Sequence, residues 1–122
     1  MAHGRIVIAD DHAPTRAVLG ELLRGDGWTV IEARDGAELV RIASENHLDA
    51  VVTDLSMPRM NGLQAARALR SLDATRALPL VAITARQPTE AQEREIDELF
   101  DHLIRKPIEP AELRRRLPPT EG

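Results

Sequence analysis

Asp49-Ala50-Val51-Val52-Thr53-Asp54 is a short aliphatic run that ends on a carboxylate, and Leu55-Ser56-Met57-Pro58-Arg59-Met60-Asn61-Gly62 follows it. The run lacks strict polar alternation, as does a strand covered on both faces. Working outward, comparable runs occur at Arg5–Asp10, Trp28–Ala33, Pro79–Thr84 and His102–Arg105. The segments between them have helical spacing. Val18, Leu19, Leu22 and Leu23 form one apolar stripe, and Leu39, Val40 and Ala43 form a second. Leu63, Ala66 and Leu69 make a third, with Gln64, Arg67 and Arg70 turned outward. Asp35-Gly36-Ala37-Glu38 and Thr89-Glu90-Ala91-Gln92 have the form of capping boxes at helix starts. Pro110 suits the first turn of a last helix, and Pro118-Pro119 stops it. Strand and helix thus alternate five times. That order calls for an α/β fold, a doubly wound parallel sheet with helices on both faces.

Composition narrows the function. At 122 residues the chain has room for one domain, expected over residues 4–117 with 118–122 as a short tail or the start of a linker. Apolar residues make up 43% and aromatic residues 2%, so the core is aliphatic. Sixteen Lys and Arg against twenty Asp and Glu give −4, which argues against direct nucleic-acid binding. Arg114-Arg115-Arg116 falls at a helix C-terminus, where cations offset the helix dipole. The absence of cysteine rules out disulfides, thiolate catalysis and thiol redox sensing. No apolar stretch has the length of a secretory signal or a membrane span, and a cytoplasmic location is expected. The helix over Thr89–Leu99 carries Glu90, Glu93, Glu95, Asp97 and Glu98, with only Ile96 and Leu99 as large apolar anchors. It reads either as the most mobile element or as one that is merely well solvated.

In open parallel α/β sheets, ligands bind beyond the carboxyl ends of the strands. Here those ends carry Asp10-Asp11, Asp54, Thr84 and Lys106-Pro107. Three carboxylates and one lysine leave a formal charge of about −2, a costly crowding unless something neutralises it. A divalent cation with a preference for oxygen ligands does so, and Mg²⁺ is the expected ion. The neutralised site accepts a phosphoryl group, with Lys106 as a point charge, Thr84 as a donor and Asp54 as the nucleophile. His12 is expected to be an exposed loop residue and not a ligand, because Mg²⁺ prefers oxygen.

Asp10-Asp11, the stretch from Asp54 to Gly62, Ile83-Thr84-Ala85 and Lys106-Pro107, in that order, resemble the receiver domain of two-component response regulators. The resemblance runs over roughly residues 4–117, with spacers of family length. It implies a flavodoxin-like fold with strand order 2-1-3-4-5. It also implies that Asp54 accepts phosphate from a phosphohistidine on a histidine kinase or phosphotransfer protein. Asp11 and Asp54 would bind Mg²⁺ through their side chains, Ser56 through its backbone carbonyl and Asp10 through water. Thr84 would move toward the phosphoryl oxygens and Lys106 would pair with them. A cis peptide before Pro107 is implied as well. The acyl phosphate would shift the face built from the fourth and fifth strands and helices, changing contact with a downstream protein or fused output domain. Homodimerisation stays open. Met60–Arg67 and Lys106–Leu113 are similar to receivers of hybrid sensor kinases, so a stand-alone regulator and a part of a longer protein are both in view.

Three departures from the family pattern matter. Leu103 occupies the switch position where many receivers have Tyr or Phe, which puts the aromatic form of the readout in doubt. Leu99 stands where receivers often have glycine. Ser56 and Arg86 follow Asp54 and Thr84 by two residues, positions that flank the path of attacking water in the family; Arg86 also reads as a solvated loop arginine. The competing functions are a pseudo-receiver that signals without phosphate, an aspartyl phosphohydrolase and a flavin carrier. The intact acid–Thr–Lys set argues against the first. The second needs its nucleophile after the first strand, and the third a hydroxyl-rich loop where Asp10-Asp11 stand.

Overall fold

β-branched aliphatic residues concentrate in five segments, and each becomes a strand of one parallel sheet. The computed structural model describes residues 4–118; residues 1–3 and the tail from Pro119 onward lie outside the described residues. The elements run β1 (Gly4–Ala9), α1 (Ala13–Gly25), β2 (Trp28–Ala33), α2 (Gly36–Glu45) and β3 (Ala50–Asp54). They continue with α3 (Gly62–Ser71), β4 (Leu80–Thr84), α4 (Glu90–Leu99), β5 (His102–Arg105) and α5 (Pro110–Arg116). The sheet order is β2-β1-β3-β4-β5, all parallel, as the family resemblance implied.

Every residue of β3 and β4 is buried, whereas the edge strands β2 and β5 are half-exposed. Alternate side chains divide the core between the two faces. Val7, Ala9, Val51 and Ala82 pack with Leu39, Ile42, Ala65, Leu69 and Ile96 on the side of α2, α3 and α4. Ile6, Ile8, Val52, Ile83 and Ile104 pack with Leu19, Leu23 and Leu113 on the side of α1 and α5. Trp28, at the start of the edge strand, joins this second layer and is buried.

Several side chains differ from their expected places. Val18 is 64% exposed, so the buried stripe of α1 comprises Leu19 and Leu23, with Leu22 partly covered. Arg70 is not turned outward: its guanidinium donates to the carbonyls of Leu99 at 2.9 Å, Arg76 at 2.9 Å and Leu78 at 2.6 Å. The Arg76 and Leu78 carbonyls lie in the connection between α3 and β4 and that of Leu99 ends α4, and a planar fork with five donors reaches all three. At α2 the capping box is half formed. The Asp35 side chain accepts from Glu38 N at 2.8 Å, but Glu38 reaches past Asp35 to Arg34 N at 2.9 Å. The box at Thr89 is complete, and so is one at Asn61 with Gln64. α4 buries Ile96 and Leu99, and an Arg67–Glu95 ion pair ties it to α3. Its C-terminus ends on extended Phe100 rather than on a left-handed residue, so Leu99 fits where a glycine is common.

Candidate functional site

Sheet register brings the residues at the strand ends together. Ala9 pairs with Thr53, Asp54 with Ile83 and Thr84 with Arg105, so the three central strands and β5 end almost level. Asp10 and Lys106 are the next residues after β1 and β5. They therefore flank Asp54 without any long loop.

Lys106 Nζ lies 2.8 Å from Asp54 Oδ2 and 3.2 Å from Asp10 Oδ2. Asp10 is completely buried and Asp54 is 7% exposed, so the lysine bridges two carboxylates that solvent scarcely reaches. Burial works against the charge on Lys106. The hydrogen bond to Asp54, then the fields of Asp54 and Asp10, outweigh it and hold the lysine pKa above its ordinary value. Each buried acid has a backbone donor on its second oxygen. His12 N donates to Asp10 Oδ1 and Ser56 N to Asp54 Oδ1, both at 2.9 Å. Asp11 is exposed at the rim, and carboxylate oxygens of Asp10, Asp11 and Asp54 all lie within 4.8 Å of one another. Three hard oxygen donors with one ammonium make a set that suits a small divalent ion.

Two glycines shape the approach to Asp54. A β-carbon on Gly62 would stand 2.3 Å from the Asp54 carbonyl oxygen and 2.9 Å from Leu55 Cα. Only glycine lets the first turn of α3 pack directly under the acid, where Gly62 N donates to Leu55 O at 3.1 Å. Gly36 meets the same loop from the other side, its would-be β-carbon 2.3 Å from Met60 O. Arg59, at φ 65°, closes this link by donating twice to Asp35 Oδ2, from Nε at 2.9 Å and Nη2 at 2.5 Å. The bond from Glu38 N, then that from Arg59, hold the Asp35 carboxyl below its usual range against the opposing effect of burial.

Thr84 is buried at the end of β4, and its hydroxyl is engaged with the following loop. It accepts from Arg86 N and donates to Arg86 O, each at 3.1 Å. Arg86 and Ser56 themselves are exposed. Leu103 packs partly buried on the α4 side of the sheet. Beyond it, Arg105 hydrogen-bonds Gln87, which in turn reaches Glu93 at 3.3 Å. The Lys106–Pro107 peptide is cis. His12 is exposed, as expected, but it also caps α1: its Nδ1 accepts from Thr15 N at 3.3 Å.

One participant was absent from the expected set. Arg16 Nη1 donates to the Asp10 carbonyl at 2.7 Å. Its signal in sequence is faint: an arginine one turn into the helix that follows an acid pair, where a solvated face is the ordinary expectation.

Comparison with known proteins agrees with this geometry. A sequence model of the response regulator receiver domain matches residues 6–118. The sensor histidine kinase RcsC of Escherichia coli (strain K12) is 32% identical over 103 residues, which are 84% of this chain and 11% of RcsC. The response regulator MprA of Mycobacterium sp. (strain KMS) is 35% identical over 125 residues, covering 97% of this chain and 54% of MprA. The chain thus spans a small part of one relative and about half of the other. Among solved structures, the receiver domain of the sensor histidine kinase PA1611 from Pseudomonas aeruginosa PAO1 superposes with a TM-score of 0.85. It is 29% identical, covers 93% of each chain, and holds a magnesium ion in its active-site cleft. The chemotaxis protein CheY4 of Vibrio cholerae, 23% identical, shares the fold with a TM-score of 0.85 over 93% of this chain and 95% of that one. Among the described residues no helix is long and apolar enough to cross a membrane. With strand order, strand-end chemistry and family match in agreement, this chain belongs to the response regulator receiver domains of two-component signalling.

Proposed function

We propose that Asp54 accepts a phosphoryl group from a phosphohistidine of a histidine kinase or phosphotransfer protein, and that the acyl phosphate switches partner binding. The observation that carries this reading is the Lys106 bridge between two buried carboxylates, at 2.8 Å and 3.2 Å, beneath the exposed Asp11. An Asp54 carboxylate oxygen attacks phosphorus, the P–N bond breaks and the histidine departs with its electron pair. Mg²⁺ held by Asp11, Asp54 and the Ser56 carbonyl, with Asp10 through water, would neutralise charge on the phosphoryl oxygens. Lys106 exchanges its bond to Asp54 for one to the phosphoryl group. Thr84 gives up Arg86 and turns its hydroxyl to the same oxygens. That release moves the β4–α4 loop, and the change spreads over the face of β4, α4, β5 and α5. The chain assists its own phosphorylation and dephosphorylation by positioning and charge, with Ser56 and Arg86 setting the access of water. Beside Lys106, a largely apolar groove of 340 Å³ lined by His12, Pro14, Val18 and Ile108 offers the partner a seat. The output is a downstream protein or a fused domain.

The test is phosphotransfer from a panel of labelled phosphohistidine proteins to the wild type and to D54N. Label on the wild type alone supports the proposal. Equal partner binding with no label on either form favours the second reading, a phosphate-independent module, which draws on Leu103 in the switch position.

A further inference from the structure

Arg16 touches none of the carboxylate oxygens of the site, yet it grips the backbone from which two of them project. Its side chain is only 14% exposed. Nη1 donates to Asp10 O at 2.7 Å, and Nε donates to Glu32 Oε1 at 3.0 Å on the edge strand β2. Glu32 also accepts from Arg24 at 3.2 Å, so the far end of the clamp is anchored twice. The Asp10 carbonyl belongs to the peptide plane that continues into Asp11, and a peptide plane turns as a unit. Other contacts hold Asp10 itself: its N donates to Ala33 O at 3.1 Å, and its carboxylate accepts from His12 N and Lys106. The Asp11 carboxylate has no partner among the described residues. Its direction therefore depends on the Asp10–Asp11 peptide, and Arg16 fixes that peptide.

We propose that Arg16 is a positioning residue that aims Asp11 into the cation site, with Glu32 orienting its guanidinium. The inference rests on the receiver function proposed above. Charge and geometry act in opposite directions here, which makes the proposal testable by sign. A cation held on the backbone of the acid pair opposes a second cation, so removing Arg16 as a charge tightens Mg²⁺ binding. Loss of an orienting partner weakens a metal site, typically by about 10- to 100-fold. A lysine keeps the charge but lacks the planar fork that spans Asp10 O and Glu32.

Mg²⁺ titrations of the wild type, R16K, R16Q and E32Q, followed by the amide NMR shifts of Asp11 and Asp54, decide the matter. Thermal melts in chelator report whether each variant is folded. The expected result is binding weaker by about tenfold or more in R16K and R16Q, and a smaller loss in E32Q. Acetyl phosphate labelling of R16K then recovers when Mg²⁺ is raised to saturation. Unchanged binding in R16K, or tighter binding in R16Q, would overturn the positioning role. If R16Q fails to fold, R16K and the half-exposed Glu32 carry the test. A wild type that takes no Mg²⁺ at these residues would overturn the proposed function too, whereas wild-type binding with unaffected variants overturns only Arg16.

Discussion

Replacing Gly62 by alanine sets two effects against each other. Gly62 is the first helical residue of α3 and its φ is not in the left-handed region, so alanine suits the backbone. By propensity and unfolded-state entropy alone, G62A gains about 0.4–1 kcal/mol. The new methyl group, however, lands 2.3 Å from the Asp54 carbonyl oxygen and 2.9 Å from Leu55 Cα, both backbone atoms that cannot swing away. Overpacking of this kind costs about 1–3 kcal/mol. At the middle of the two ranges steric cost wins, with a net loss of about 1.3 kcal/mol. In a domain of this size that lowers Tm by about 4–8 °C. The strain falls on Asp54, so acetyl phosphate labelling slows as well. Gly25 is the control: its would-be β-carbon meets nothing within 4 Å, and G25A is expected to be neutral or stabilising by up to about 1 kcal/mol. Thermal melts and labelling rates of the three proteins test this. G62A as stable as G25A, with wild-type labelling, would refute the steric argument.

Three further outcomes follow from the same geometry. Saturating Mg²⁺ stabilises the wild type by about 2.7 kcal/mol at a concentration 100 times the dissociation constant; a double D11N/D54N variant shows no such gain in a melt with and without metal. Lys106 has a raised pKa, so its contribution is complete below the ordinary value of 10.5 and is lost as pH climbs through the folded value. Urea titrations of wild type and K106M should accordingly differ by a constant amount from pH 7 to 9 and converge above about 10.5; a gap that widens in alkali contradicts the pairing. In hydrogen exchange, α4 amides should exchange ahead of those of α3, because α4 buries only Ile96 and Leu99 while α3 buries Gly62, Ala65, Ala66 and Leu69. Equal protection of the two helices would show that the Arg67–Glu95 pair and the Arg70 bond to Leu99 O are enough to hold α4 down.

Strands and the placement of the residues that end them were legible because both depend on local pattern. Val51-Val52 and Val81-Ala82-Ile83 read as strands buried on both faces, and the residues ending them face one edge whatever the loops do. What escaped is contact between residues distant in sequence. Periodicity places Val18 and Leu22 in one phase and Leu19 and Leu23 in the next; only docking on Ile6 and Ile8 selects the second. Arg70 looks like a surface cation until the carbonyls of Arg76, Leu78 and Leu99 surround it. Asp35 looks like half of a capping box, but Arg59 of a different loop takes its second oxygen and Glu38 turns to Arg34. The steric role of Gly62 likewise needs the Asp54 carbonyl beneath it.

The central claim, that Asp54 is a phosphoacceptor dependent on the surrounding acids and metal, meets its most direct test in an intact-mass measurement. The protein is incubated with acetyl phosphate and Mg²⁺, beside D54N, beside wild type in chelator, and beside a receiver known to label. Addition of one phosphoryl group to the wild type, absent from D54N and from the chelated sample, is the predicted result. An unlabelled wild type next to a labelled control, or a D54N variant that labels equally, would contradict it.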